Sequence, residues 1–307
     1  MVIVQEPAAM ASGIQHYPVM YREVIDLLEI RRRRVVVDCT IGCGSHAEKF
    51  LEVMPRESLL VGIDRDQDSL AYVGERLKRF GARLLLFKSN FLDLDEILDK
   101  AGISCVDAFL FDLGVSSYQL SDPERGFSFL KNGDLDMRMD RDAFLSAYDL
   151  VNNLSERELA GIFRKFGQER YANRVARYIV NARKLKPISS TLRLAEIVAR
   201  AVPGKMRRYK IHPATRVFQS LRIAVNRELE PLGESLIKAA NLLNRGGRLA
   251  VISFHSLEDR IVKHTFRVLA REGGVKVIVK KPLTPTGVEV AENAPSRSAK
   301  LRVLEKV

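Results

Sequence analysis

The sequence predicts an α/β fold: a doubly wound parallel sheet interrupted by a mostly helical insert. Three observations carry this reading. The stretch Val35-Val36-Val37-Asp38-Cys39-Thr40-Ile41-Gly42-Cys43-Gly44-Ser45-His46 is a β-branched run, an acid and a glycine turn, and the periodic Ala47, Phe50 and Leu51 then open a helix. Short apolar runs at 59–64, 84–87 and 106–111 alternate with helical patterns, which predicts parallel strands whose carboxyl ends form the functional edge. The next strand-like run, 248–254, follows only after more than 100 residues, far longer than an ordinary crossover.

The elements follow in order. Tyr21 to Leu28 is amphipathic and precedes the first strand. Leu59-Leu60-Val61-Gly62-Ile63-Asp64 ends in an acid about 20 residues past the turn, the place of a carboxylate that accepts ribose hydroxyls in such folds. A helix is expected over 68–80, with Leu70, Val73 and Leu77 on one face, and a short one over 95–100. The fourth strand ends at Asp112-Leu113-Gly114. In the insert, Ser155 and Glu158 make a capping box ahead of Leu159, Ile162, Phe163 and Phe166, with Gly167 as the stop. Helices over 169–183 and 191–201 end before Pro187 and Pro203, and a basic loop carries Lys205, Arg207, Arg208 and Lys210. One long helix is expected from 215 to 243, a further helix over 256–269, and two final strands at 275–279 and 301–304. The sheet domain is therefore discontinuous, 1–118 with 215–307, around an insert of 119–214.

Composition narrows the function classes. Of the 307 residues 46% are apolar and 29% charged, and mean hydropathy is −0.08, so a spanning segment is not expected; nor is a signal peptide, and the expected location is the cytoplasm. Cys39, Cys43 and Cys105 are too few for a disulfide framework, and the spacing of Cys39, Cys43 and His46 matches no common zinc pattern, so no metal is expected. The net charge of +12 is unevenly placed. Between Arg157 and Arg222 stand 17 Lys or Arg and three acids, which leaves the rest of the chain near neutral. A basic half joined to a neutral half points to a polyanion, most simply nucleic acid.

Two ligands compete for the glycine turn. A nicotinamide site puts Gly-x-Gly-x-x-Gly directly after the strand. Here an acid ends the strand and the glycines follow four residues later, as in the first motif of S-adenosylmethionine-dependent methyltransferases. The likeness then becomes specific. His16-Tyr17-Pro18-Val19-Met20, Gly62-Ile63-Asp64-Arg65-Asp66, Asp112-Leu113-Gly114-Val115-Ser116-Ser117, Arg125-Gly126-Phe127-Ser128-Phe129, Leu135-Asp136-Met137-Arg138-Met139-Asp140, Ala214 to Ile223, Ser253 to Arg260 and Arg297 to Arg302 run in the expected order over nearly the whole chain. Together with Asp38 to His46 they resemble the bacterial 16S ribosomal RNA cytosine-N4 methyltransferase family, which modifies a decoding-centre cytosine.

The resemblance implies a Rossmann-like class I methyltransferase sheet, S-adenosylmethionine as cofactor and 16S rRNA in the small subunit as partner; a homodimer stays open. It implies cofactor contacts at Gly42, Gly44, Ser45, His46, Asp64, Phe91, Asp112 and Gln119, although the family usually has glycine where Cys43 and Ser45 stand. The insert becomes an RNA-recognition domain, with Arg207, Arg208, Lys210 and Arg216 at the phosphates. An exocyclic cytosine amine is a poor nucleophile, so catalysis should rest on alignment and on acceptors that draw density onto nitrogen. Many amino-methyltransferases use an Asp/Asn-Pro-Pro-aromatic loop here; this chain has Asp112-Leu113-Gly114-Val115, so Asp112 is the first candidate acceptor and Asp136 the second. The rival readings are an NAD-linked oxidoreductase and a catalytically idle ribosome-assembly factor.

Overall fold

A computed structural model describes residues 17–203 and 212–307. Its centre is a seven-stranded sheet of β1 (Val35–Asp38), β2 (Leu59–Asp64), β3 (Leu84–Lys88), β4 (Val106–Asp112), β5 (Leu243–Ser253), β6 (Val275–Val277) and β7 (Lys300–Lys306), in the order β3-β2-β1-β4-β5-β7-β6. The first five positions pair in parallel; β7 lies antiparallel between β5 and β6. Crossing from β1 to β2 one way and to β4 the other places the chain reversal at the carboxyl ends of β1 and β4, where open α/β sheets bind ligands.

Alternation along the strands builds a core on each face. Val36, Ala108, Leu110, Ala250 and Ile252 face α1 (Tyr21–Leu28), α2 (Ser45–Val53) and α3 (Gln67–Arg76). Val37, Phe109, Phe111, Leu249 and Val251 face the other side, against α4 (Leu94–Lys100) and two helices from later in the chain. The sheet is buried on both faces, which explains why its strands read as continuous apolar runs.

The helical module comprises α5 (Ser117–Ser121), α6 (Ala147–Asn153), α7 (Glu156–Lys165), α8 (Ala172–Arg183) and α9 (Thr191–Ala201). The capping box expected at Ser155 and Glu158 starts α7, with Ser155 Oγ accepting from Glu158 N at 3.3 Å. The stretch expected as one helix over 215–243 is two, α10 (Ala214–Asn226) and α11 (Leu232–Leu242). Arg227 turns left-handed at φ 49°, and Pro231, lacking an N–H, begins the second helix rather than continuing the first. α10 also moves the domain boundary. Its Ala214, Val217, Phe218 and Leu221 pack with Phe163, Val175 and Leu194 in the module's core, so the insert closes after Asn226 rather than at 214. The helix expected over 68–80 ends at Arg76, where the chain tightens into a 3₁₀ segment. The chain closes with α12 (Ser256–Glu272) and α13 (Gly287–Glu292). Among the described residues no helix is long and apolar enough to cross a membrane.

Gly133 joins the module's entry loop to α9: its N–H donates to Thr191 Oγ1 at 3.1 Å and its carbonyl accepts from Thr191 N at 3.0 Å. A Cβ there would overlap the backbone of Pro123. Gly133→Ala should therefore cost about 2–3 kcal/mol, because backbone rather than a side-chain tip must move. Denaturant unfolding checks this, and an unchanged midpoint would contradict it.

Candidate active site

A cleft of about 360 Å³, within the range of small-molecule sites, opens at the carboxyl edge of β1, β2 and β4. β1 delivers Asp38 and then the glycine turn. Gly42 is left-handed at φ 51°, and its N–H donates to Asp64 Oδ2 at 2.8 Å, tying the turn to the end of β2. Gly44 is left-handed at φ 77°, where a Cβ would press on Val73 of α3. The turn thus needs glycine at both points, for conformation and for helix approach. Ser45 opens α2 with its hydroxyl 3.2 Å from Cys43 Sγ, and Arg76 donates to the Cys43 carbonyl at 2.7 Å. The side chains that replace glycine here are held by Arg76 and one another.

His46 is buried at 5% exposure, between two groups that constrain its protons. Nε2 is 3.0 Å from the Val19 carbonyl, which can only accept, so Nε2 carries hydrogen. Nδ1 is 3.4 Å from Asp112 Oδ2. A carboxylate also only accepts, so the second contact requires an imidazolium or a protonated Asp112. Burial opposes charging of the ring, but Asp112 and then Asp38 outweigh it and raise its pKa. Asp112 Oδ1 is buried with no hydrogen-bond partner. Orphaned buried acceptors are uncommon, and this one belongs to a residue that lines the cleft.

Asp38, 1% exposed, is pushed up to about 7 by burial and by the nearby charges of Asp112 and Asp64, against the pull of His46. Asp64 is raised to about 6 by burial, although the N–H groups of Asp66 and Gly42 hold its ionised form. Phe91 lies on the cleft wall, its ring edge-on to Phe111 at 5.6 Å between centroids, an apolar platform fit for a nucleobase.

Two expected residues turn out differently. Gln119 borders the cleft, yet its Nε2 donates to Asp66 at 2.8 Å and its Oε1 accepts from Ser116 N at 3.1 Å, so both polar atoms are engaged within the protein. Asp136 is absent from the cleft. It lines a separate shallow depression, where Arg138 takes its two oxygens at 2.8 Å each and overcomes burial to lower its pKa. The second candidate acceptor is thereby corrected. Arg216 is exposed at the start of α10, while Arg207, Arg208 and Lys210 lie outside the described residues.

The far end of the cleft was missed. Arg222 of α10 makes a paired contact with Glu228, Nε to Oε1 at 2.9 Å and Nη2 to Oε2 at 3.0 Å, and Phe254 stands beside it at the end of β5. Both flank Gly114. His255, read from sequence as either an RNA contact or a structural group, caps α12, with Glu258 Oε2 accepting from the N–H groups of His255 and Phe254.

The donor set suits a cationic nucleoside cofactor: crowded carboxylates for positive charge, Asp64 for ribose hydroxyls and Phe91 for the base. With the sheet order, these groups define a class I methyltransferase using S-adenosylmethionine. The chain belongs to the MraW methylase family, which matches residues 13–307. It is 47% identical over 294 residues to ribosomal RNA small subunit methyltransferase H of Persephonella marina, covering 96% of this chain and 100% of that protein. It is also 47% identical over 312 residues to the protein of that name from Pelobacter propionicus, and 42% over 308 to that of Clostridium botulinum, covering 100% and 99% of those proteins and 96% and 95% of this one. Family membership sets the NAD-linked reading aside.

In the native state Asp38 keeps its proton to about 7, whereas the unfolded chain releases it near 3.8. Native protein thus binds more protons between those values, and stability falls as pH rises through them. Asp38→Asn removes this slope. From about pH 5 to about pH 8 the stability difference should move in the variant's favour by about 2–3 kcal/mol. Urea unfolding at the two pH values measures it; parallel curves for the two proteins would contradict the assignment.

Proposed function

We propose that this chain transfers a methyl group from S-adenosylmethionine to the exocyclic N4 amine of a cytosine in the decoding centre, at the P site, of 16S rRNA in the small ribosomal subunit. The observation that carries the chemistry is Asp112, a carboxylate on the cleft wall whose buried Oδ1 has no hydrogen-bond partner within the protein. Full-length likeness to proteins named for methylation of small-subunit ribosomal RNA supports the substrate.

When bound, S-adenosylmethionine supplies an electrophilic methyl group on sulfonium sulfur. Gly42 and Ser45 would line its amino-acid end, with Gly44 letting the turn close on α3, while Asp64 would accept from the ribose and Phe91 would pack on the adenine. The amine's lone pair is delocalised into the ring, so an N–H···O bond to the Asp112 carboxylate both aligns nitrogen and draws density onto it. His46 holds Asp112 in place through Oδ2, leaving Oδ1 free. The N4 proton is lost after transfer, with the Asp112 carboxylate its first acceptor; no strong base is needed. The target base leaves its stack to enter, and the 115–129 loop reads its edge. The helical module, 119–214 with α10 added, holds the phosphates through its basic side chains, Arg216 on α10 and Arg207, Arg208 and Lys210 among them.

The experiment is methyl transfer from labelled cofactor to small subunits from a strain lacking the enzyme, with naked 16S rRNA alongside and nucleoside mass spectrometry of mapped fragments. N4-methylcytidine at the decoding centre is expected, with Asp112→Asn slower by about 100-fold or more. No transfer to either substrate despite tight cofactor binding would favour the idle assembly factor.

A further inference from the structure

Two of the sequence blocks, Arg125-Gly126-Phe127 and Leu135 to Asp140, contribute no polar group to the chemistry above, yet they contain the largest fully buried side chain among the described residues, Arg125. Arg125 is 2% exposed, and its partner Asp66, 1% exposed, lies two residues beyond the ribose acid Asp64. Arg125 Nη1 donates to Asp66 Oδ2 at 2.6 Å, an oxygen that also accepts from Gln119 Nε2. The other oxygen of Asp66 caps α3, accepting from Asp68 N at 3.1 Å. Capping α3 explains one carboxylate oxygen. It does not explain a buried guanidinium, since a buried ion pair is often no more stabilising than an apolar pair of equal volume.

The rest of the guanidinium shows what the pair does. Nη2 donates to the carbonyls of Arg138 and Met139 at 2.9 and 3.0 Å. The same segment is gripped from the opposite side by Asn226, at the end of α10. Asn226 Oδ1 accepts from Met139 N and its Nδ2 donates to the Met137 carbonyl, both at 2.7 Å. Arg65, between the two acids of β2's loop, donates to the Asn226 carbonyl at 2.7 Å. Met137, fully buried, sits at φ 63°, a conformation that persists in a non-glycine residue only when its surroundings enforce it. Met139 lines the cleft, and so does Arg222, one turn before Asn226 and bonded to it through the Arg222 carbonyl. A continuous set of hydrogen bonds therefore runs from the cofactor edge at Asp64, through Asp66 and Arg125, to segment 137–139 and the wall formed by α10. Asp64 joins it directly, accepting from Asp66 N at 2.9 Å.

We infer that Asp66, Arg125 and Asn226 are positioning residues: a strut that fixes segment 137–139 and α10 against the cofactor edge, so that ligand seated at Asp64 tightens the wall that meets the RNA base. The inference rests on the methyl-transfer reading for its effect on rate, though not for its effect on order. Only a planar fork bonds a carboxylate and two carbonyls at once; lysine offers a single charged point.

The variants are Arg125→Lys and the double variant Asp66→Asn with Arg125→Gln, which removes both buried charges together and so avoids stranding either. In the wild type, saturating S-adenosylmethionine should slow hydrogen exchange at the Met137 and Met139 amides. In both variants that protection should be lost while strand amides of β1 and β4 keep theirs. Cofactor Kd should stay within about twofold, and kcat on small subunits should fall by about 100-fold, the cost of a misplacement of roughly 1 Å. Cofactor-induced protection that survives in the variants, or a kcat within about twofold of wild type, would overturn the strut. Parallel losses of cofactor affinity, kcat and strand protection would overturn it too, by making the residues purely structural. A wild type that protects Met137 and Met139 but forms no N4-methylcytidine would instead sink the substrate reading and leave the coupling standing.

Discussion

Asp38, Asp64 and Asp112 end three adjacent parallel strands, and the sheet gives them no choice but to share one edge. Burial raises the pKa of Asp38 and of Asp64, and neighbouring carboxylates add to it, Asp112 and Asp64 for Asp38 and Asp66 for Asp64. The protein answers with what is at hand: N–H groups of the glycine turn and of Asp66 on Asp64, that of Thr40 on Asp38, and the His46 ring on Asp112. It leaves Asp112 Oδ1 unanswered. A ligand carrying positive charge and N–H donors completes the set, and the positions of the turn, of α2 and of Phe91 follow from making room for it.

The remaining walls of the cleft come from outside the sheet. α10 is shared: its apolar face belongs to the helical core through Val217 and Leu221, while Arg222 and Asn226 serve the cleft and the link to β2. One helix is thus both the boundary of the inserted module and the wall of the site. That arrangement joins the module's core to the wall of the cleft through a single helix.

The sheet was legible from sequence because buried parallel strands are apolar runs and each functional strand ends in an acid at the turn. The strand ends at Asp38, Asp64 and Asp112 could be placed that way. The boundary at 214 was misplaced because periodicity shows that Val217, Phe218 and Leu221 form a stripe but not which core it faces. Asp136 was misassigned because Arg138, only two residues on, folds back onto it across a left-handed Met137. Arg222 with Glu228 went unseen because the chain reverses between them at Arg227, and Asp66 with Arg125 because 59 residues separate them. The sole signal available was the placement of Arg222 and Arg125 within blocks of family likeness.

The central claim is that a cationic cofactor relieves crowded carboxylates, and its most direct test is calorimetry of S-adenosylmethionine binding near pH 6.5 in buffers of different ionisation enthalpy. Positive charge arriving beside Asp38, Asp64 and His46 should lower each pKa, so binding should release protons and tighten as pH rises towards about 7. S-adenosylhomocysteine, whose sulfur is neutral, should release fewer. Binding with no proton release, or with net uptake, would contradict the account.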